Sequence, residues 1–278
     1  MRATLCLALV VLAGPRATAA GDDARPIIER GFAAAEANAV LERLYVYHQT
    51  IEERHFGSKG REKKRESRTW DVTRLDGSEY RRLIAQNGRP LDEHEQAAEQ
   101  RRLEKQLDKM RRETPSQRAQ RLRSVEREHE ESRGFFEQVT RAFDFQLLRE
   151  EPLDGVPCYV IAAEPRADYE PVSRETRVLT KVRATLWISQ SDSVWVRAEI
   201  ETIESFTWAM VLRVKPGAQV QFSRRRVNDE VWLPHTWYLR YKGKAAGIFG
   251  FNREFSASYD NYRKFTAESS GVFDGGAR

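Results

Sequence analysis

The sequence predicts an α+β fold: a curved antiparallel half-barrel of about eleven strands, with helices covering its concave face and a charged helical insertion. Three observations predict it. From Phe143 to Ser269 apolar and polar residues alternate in about eight successive runs, which is the period of half-buried strands. Turn pairs such as Asp76-Gly77, Asn87-Gly88 and Asp154-Gly155 punctuate the runs. Helical spacing is confined to two places, before the first strand and after the fourth, and a sheet of about eleven strands curls rather than staying flat.

The elements follow in order. Residues Pro26 to Leu44 read as a helix, with Ile27, Ile28, Phe32, Ala35, Val40 and Leu41 on helical spacing and Pro26 in the first turn. A four-strand meander runs from Tyr45 to Leu91, and its charge places it at a sheet edge or an opening rim. From Asp92 to Arg133 the chain turns to Glu, Gln, Arg and Lys, eleven acids against eleven bases, with Leu103, Leu107 and Met110 as a thin stripe. Thr114-Pro115-Ser116-Gln117 has the form of a capping box and starts a second helix. The first of the two helices reads as an exposed arm, whereas Phe135, Phe136, Val139 and Phe143 anchor the end of the second on the sheet. The strand series follows, with further turns expected at Ser189 to Ser193, Pro216-Gly217, Asn228-Asp229 and Lys242-Gly243.

The first twenty residues read as an export signal: Arg2, an apolar stretch from Ala3 to Ala13, and small residues at Ala17-Thr18-Ala19-Ala20. The apolar stretch is too short to span a bilayer. Cys6 lies inside it rather than at the cleavage point, so a lipid anchor is not expected. Cleavage leaves residues 21–278 as one domain with its helical insertion at about 92–142, and Cys158 as a lone, buried thiol. The sequence therefore predicts a periplasmic protein.

The chain carries 47 Lys and Arg against 42 Asp and Glu. The bases are interleaved with acids, and the two basic clusters, Lys59 to Arg65 and Arg224 to Arg226, fall at turns or strand ends, so no one-signed face for nucleic acid is expected. No nucleophile elbow, phosphate loop or dinucleotide fingerprint occurs. His48, His55, His94, His129 and His235 lack ligand spacing, so no metal and no cofactor is expected. No carboxylate pair stands out as an acid/base dyad, and the sequence is not expected to be that of an enzyme.

What it does have is apolar rows. Leu186 and Ile188 share a face, as do Val194, Val196, Ala198 and Ile200; Phe206, Trp208, Met210 and Leu212 form a third row; Trp237, Leu239 and Tyr241 form a fourth. Six tryptophans and thirteen phenylalanines on one curved sheet exceed what two or three helices fill, which predicts a partly hollow interior.

At this point the sequence resembles a family. Asp154-Gly155-Val156-Pro157-Cys158-Tyr159-Val160-Ile161, the unit Leu186-Trp187-Ile188 with Val194-Trp195-Val196-Arg197-Ala198-Glu199, Val231-Trp232-Leu233-Pro234, and Tyr259-Asp260-Asn261-Tyr262-Arg263-Lys264-Phe265 look like phrases of the LolA/LolB-like outer-membrane lipoprotein-sorting carriers. The resemblance implies an incomplete barrel whose apolar cavity shields lipid or lipoprotein acyl chains, without catalysis. By strand alternation the expected lining is Leu186, Ile188, Val194, Val196, Trp208, Met210, Leu212, Trp237, Leu239 and Tyr241. The alternative is an envelope protein-interaction or stress-sensor module that docks a partner through the charged arm.

Overall fold

A computed structural model describes residues 23–57, 59–208, 212–245 and 249–265. The export signal expected over the first twenty residues and Met210 both fall outside these residues. Helix α1 (Arg25–Glu42) carries Pro26 in its first turn, as expected. The meander is β1 (Tyr45–Phe56), β2 (Glu62–Leu75), β3 (Ser78–Gln86) and the two-residue β4 (Arg89–Pro90). Asp76 and Gly77 adopt φ of 45° and 80°, and Asn87 and Gly88 52° and 76°, the paired left-handed conformation that a two-residue hairpin turn demands. Helices α2 (Glu93–Arg111) and α3 (Pro115–Ala142) form the insertion. Both begin in a capping box: Thr114 with Gln117, as read from sequence, and Asp92 with Glu95, which the sequence reading passed over.

The remaining strands are β5 (Phe143–Leu153), β6 (Val156–Pro165), β7 (Val182–Ser189), β8 (Trp195–Thr202), β9 (Phe206–Trp208), β10 (Leu212–Val214), β11 (Gln219–Val227), β12 (Val231–Ala245) and β13 (Phe249–Lys264), with a 3-10 turn over Thr176–Lys181. They join one antiparallel sheet in the order β4-β3-β2-β1-β13-β12-β11-β8-β7-β6-β5, and the hairpin β9–β10 attaches to the far end of β12. The end strands β4 and β5 do not pair, so the barrel stays open. Helices α1 and α3 cover one face of it.

Two expectations need correction. Phe206 to Leu212 is not one apolar row: β9 and β10 are antiparallel, and Trp208 stands opposite Leu212. Lys242-Gly243 is not a turn but lies inside β12. Gly243 is there for proximity, since a Cβ on it would sit 2.1 Å from the Arg213 carbonyl oxygen and 2.5 Å from the Phe251 ring.

Four attachments fix the helices. Ile28 of α1 is fully buried among Phe143, Phe145, Ile161, Leu186 and Ile188, a burial worth about 1.5–3 kcal/mol. About three turns further along α1, β12 runs beyond the reach of β13, whose pairing begins at Thr236. Asn38 takes the missing strand's place: its Nδ2 donates to the Trp232 carbonyl at 2.7 Å and its Oδ1 accepts from the Trp232 N–H at 2.8 Å. Helix α2 was expected as an exposed arm, but it braces the sheet edge. Leu103 is buried, the Leu83 N–H donates to Glu99 Oε2 at 3.2 Å, and the Arg102 guanidinium donates to the Arg81 carbonyl. The side chains of α2 thereby occupy backbone groups that an edge strand would otherwise offer to another chain. Finally, Asp76 at the β2–β3 hairpin accepts from Arg118 and Arg121 of α3.

Two outcomes follow. Asn38→Leu leaves the Trp232 N–H without its partner and its carbonyl with the Arg224 guanidinium alone, and is expected to lower unfolding free energy by about 2 kcal/mol, read from chemical denaturation. Arg118, with Arg121, holds the Asp76 carboxyl well below the usual carboxylate range. A carboxylate with a depressed pKa stabilises the fold above its unfolded value of about 3.9 and loses that contribution as pH falls further. Hydrogen exchange in the first turns of α3 is therefore expected to accelerate below about pH 4 in the native protein, and at neutral pH in Asp76→Asn.

Candidate functional site

Between the helices and the sheet lies a cavity of about 660 Å³, within the ~300–1,000 Å³ typical of small-molecule sites. Its wall draws on eight consecutive or neighbouring strands, β5 to β12, which a flat sheet could not bring round one space. Phe32 of α1 and Phe135, Phe136 and Val139 of α3 form the roof. Phe143 and Phe145 come from β5, Leu186 from β7, Ala198 and Ile200 from β8, Val220 and Phe222 from β11, and Leu239 and Tyr241 from β12. Thr202 and Tyr241 bring hydroxyls to the wall and Arg224 its charge.

The roof is thin. Phe32 packs on Phe136 at 5.4 Å and on Trp195 at 5.1 Å between ring centres, yet Phe136 keeps 49% of its surface exposed. A half-exposed phenylalanine over an apolar space marks the mouth. At the opposite end Tyr241 meets Phe251 at 5.2 Å and stacks on Phe255 at 6.1 Å. Burial pushes the Tyr241 hydroxyl pKa up, so the phenol stays neutral and adds no charge to the wall.

The sequence-derived residues divide. Leu186, Leu239 and Tyr241 are on the wall. Ile188 is fully buried in the adjoining core and Trp237 is half-buried on β12, beside Phe222 across the ladder. Trp208 and Leu212 lie in β9 and β10, and Met210 is outside the described residues. Val194 and Val196 are placed wrongly by strict alternation. Leu186 pairs with Ala198 and Trp187 with Arg197, but Ile188 pairs with Trp195, so one extra residue bulges out of β8. The bulge flips the parity. Trp195 turns to the cavity, while Val194 and Val196 pack with Cys158, Val160, Trp187 and Trp232 in a second cluster. A bulge has no signature in an apolar–polar pattern. Val220 and Phe222 did have one, since Gln219-Val220-Gln221-Phe222 alternates cleanly, and the sequence reading did not use it.

Cys158 is buried, as expected, and burial raises its thiol pKa, which keeps it a packed, protonated residue. Among the described residues no group of three or more His, Cys, Asp or Glu side chains is arranged to hold a metal ion.

Trp195 is held against α1 at Gly31, where an added Cβ would stand 2.5 Å from its Nε1. Gly31→Leu is expected to drive the indole into the cavity or lift α1, lowering uptake of an apolar fluorescent probe at least tenfold, with about 1–3 kcal/mol lost in a denaturant melt.

No family model and no curated protein matches the sequence. Among solved structures the chain is similar to an outer membrane lipoprotein-sorting protein domain from Vibrio parahaemolyticus, at 10% identity over 86% of this chain and 94% of that one, with a TM-score of 0.34. It is similar to a LolA superfamily protein from Nitrosomonas europaea, at 11% identity over 91% and 97% of the two chains, TM-score 0.28. It is also similar to a chain of the MucA/MucB complex of Pseudomonas aeruginosa, at 10% identity over 88% and 99%, TM-score 0.25.

Proposed function

We propose that the chain is a carrier that holds a lipid or lipoprotein acyl chain in the cavity beneath α1 and α3. One observation carries the reading: a space of about 660 Å³ walled almost wholly by apolar side chains and roofed by half-exposed aromatics. Each methylene moved from water into such a space gains about 0.8 kcal/mol. A chain of ten or more methylenes then binds usefully without any directional contact. Leu186, Leu239 and Tyr241 contact the chain, joined by Phe222, Val220, Ile200 and Trp195. In this reading the export signal expected over residues 1–20 directs the protein to the periplasm, and residues 21–278 act as one domain. No helix among the described residues is long and apolar enough to cross a membrane, and membrane contact is peripheral in this reading.

A second reading rests on the insertion. Helix α2 buries Leu103 but leaves most of its charged side chains in solvent, a surface on which an envelope partner could dock. Deleting residues 92–133 separates the two readings: partner loss with lipid uptake intact favours docking.

The carrier reading is tested by extracting the native protein into organic solvent for mass spectrometry and by titrating it with a fluorescent fatty acid. Co-purified lipid, or saturable fatty-acid binding, is the expected result. Ala184→Trp, which projects an indole from β7 into the cavity, is expected to weaken uptake at least tenfold. Absence of both extracted lipid and fatty-acid binding would falsify the reading.

A further inference from the structure

The sheet is not continuous next to the cavity. The ladder between β8 and β11 ends at the pair Arg197–Ser223, because β8 bulges at Val196 and turns away, while β11 continues to Val227 on β12 alone. Where the two strands part, a cleft of about 690 Å³ opens, lined by Arg197, Arg224, Arg225, Arg226 and His235, with Asp154 as the acid on its wall. Phe222 and Arg224 belong to the walls of both this cleft and the apolar cavity. An apolar space and an arginine-rich space therefore share a partition two residues wide.

The arginines differ in how far they are already engaged. Arg224 donates to Glu42 Oε2 and to the Trp232 carbonyl, both at 3.1 Å, and is spoken for. Arg197 is bonded to Glu199 and lies over the Trp187 ring at 5.4 Å. Arg226 donates to the Asp229 carbonyl at 2.8 Å and stands 3.6 Å from Asp192. Arg225 rests on the Tyr262 ring at 4.8 Å, and among the described residues no carboxylate lies within ion-pair distance of it. His235 Nδ1 is buried without a hydrogen-bond partner. A stacked guanidinium with free donors, next to a second one and an unsatisfied imidazole nitrogen, matches a tetrahedral oxyanion better than a carboxylate, because a phosphate offers several oxygens for forked donors to share.

We infer that the cleft between β8 and β11 is a headgroup site, and that the ligand is an anionic amphiphile with its phosphate among Arg225, Arg226 and His235 and its acyl chain in the apolar cavity beyond Phe222. The inference rests on the carrier reading and deepens it by naming the ligand's polar end.

The test uses the full chain and three probes, n-dodecyl phosphate, n-dodecanol and inorganic phosphate, titrated by calorimetry at low ionic strength. Dodecyl phosphate is expected to bind at least tenfold more tightly than dodecanol, with the gap narrowing as salt is raised. In Arg225→Gln/Arg226→Gln the gap is expected to close while dodecanol affinity stays within twofold of the native value. Both side chains are exposed, and Arg225→Gln alone, expected to narrow the same gap, is the milder variant should that pair fold poorly. Equal binding of dodecanol and dodecyl phosphate overturns the headgroup site and leaves the carrier reading standing. Inorganic phosphate binding as tightly as dodecyl phosphate also overturns it, since the anion site would then be uncoupled from the chain. If neither alkyl probe binds, the carrier reading fails and takes this inference with it.

Discussion

The apolar inner face of the sheet has to be covered, and the chain covers it with one side of α1 and the last turns of α3. That mismatch in volume sets everything near the cavity. Ile28, Phe143, Phe145 and Ile161 close one end as a dry core. Toward β11 and β12 the helices supply too few side chains, and close packing at the density of a protein interior gives way to open space. An apolar space with aromatic walls is stable because its lining loses little by facing a void compared with facing water, but filling it with hydrocarbon gains on both counts.

The helices stay in place over this gap because they are held at points away from it. Asn38 and Arg224 tie α1 to the open side of β12. Asp76 holds the start of α3 through two guanidinium groups, and Glu36 meets Arg133 at 2.9 Å between α1 and α3. Polar pins at the periphery leave the roof itself, Phe32 and Phe136, joined to the sheet by dispersion contacts alone. Such contacts yield to a ligand of similar polarity without leaving an unsatisfied polar group behind.

Irregularities in the ladder decide where polarity enters. The bulge at Val196 turns Trp195 inward and ends the β8–β11 pairing early, and one backbone feature thus both shapes the cavity wall and exposes the arginine-bearing end of β11 beside it. The meander has register shifts of its own, between Val46 and His48 against β13 and between Thr69 and Trp70 against β3, but its inner face carries Glu53 in contact with both His55 and Arg253. It extends the sheet without extending the apolar space.

The sequence by itself determined the class of the fold, because strand alternation, paired turn residues and capping boxes are local signals: Asp76-Gly77, Asn87-Gly88, Asp154-Gly155 and Thr114–Gln117 all act within a few residues. It also determined that the aromatics exceed the helices available to bury them. The tertiary structure alone decided which residues face the void. Trp195 rather than Val194 and Val196 does so because a single inserted residue reverses the parity of a strand, and no local pattern records an insertion relative to a partner strand distant in sequence. Gly243 was likewise legible only once β10 and Phe251 were seen to approach it, since a glycine kept for closeness looks in sequence like a glycine kept for a turn.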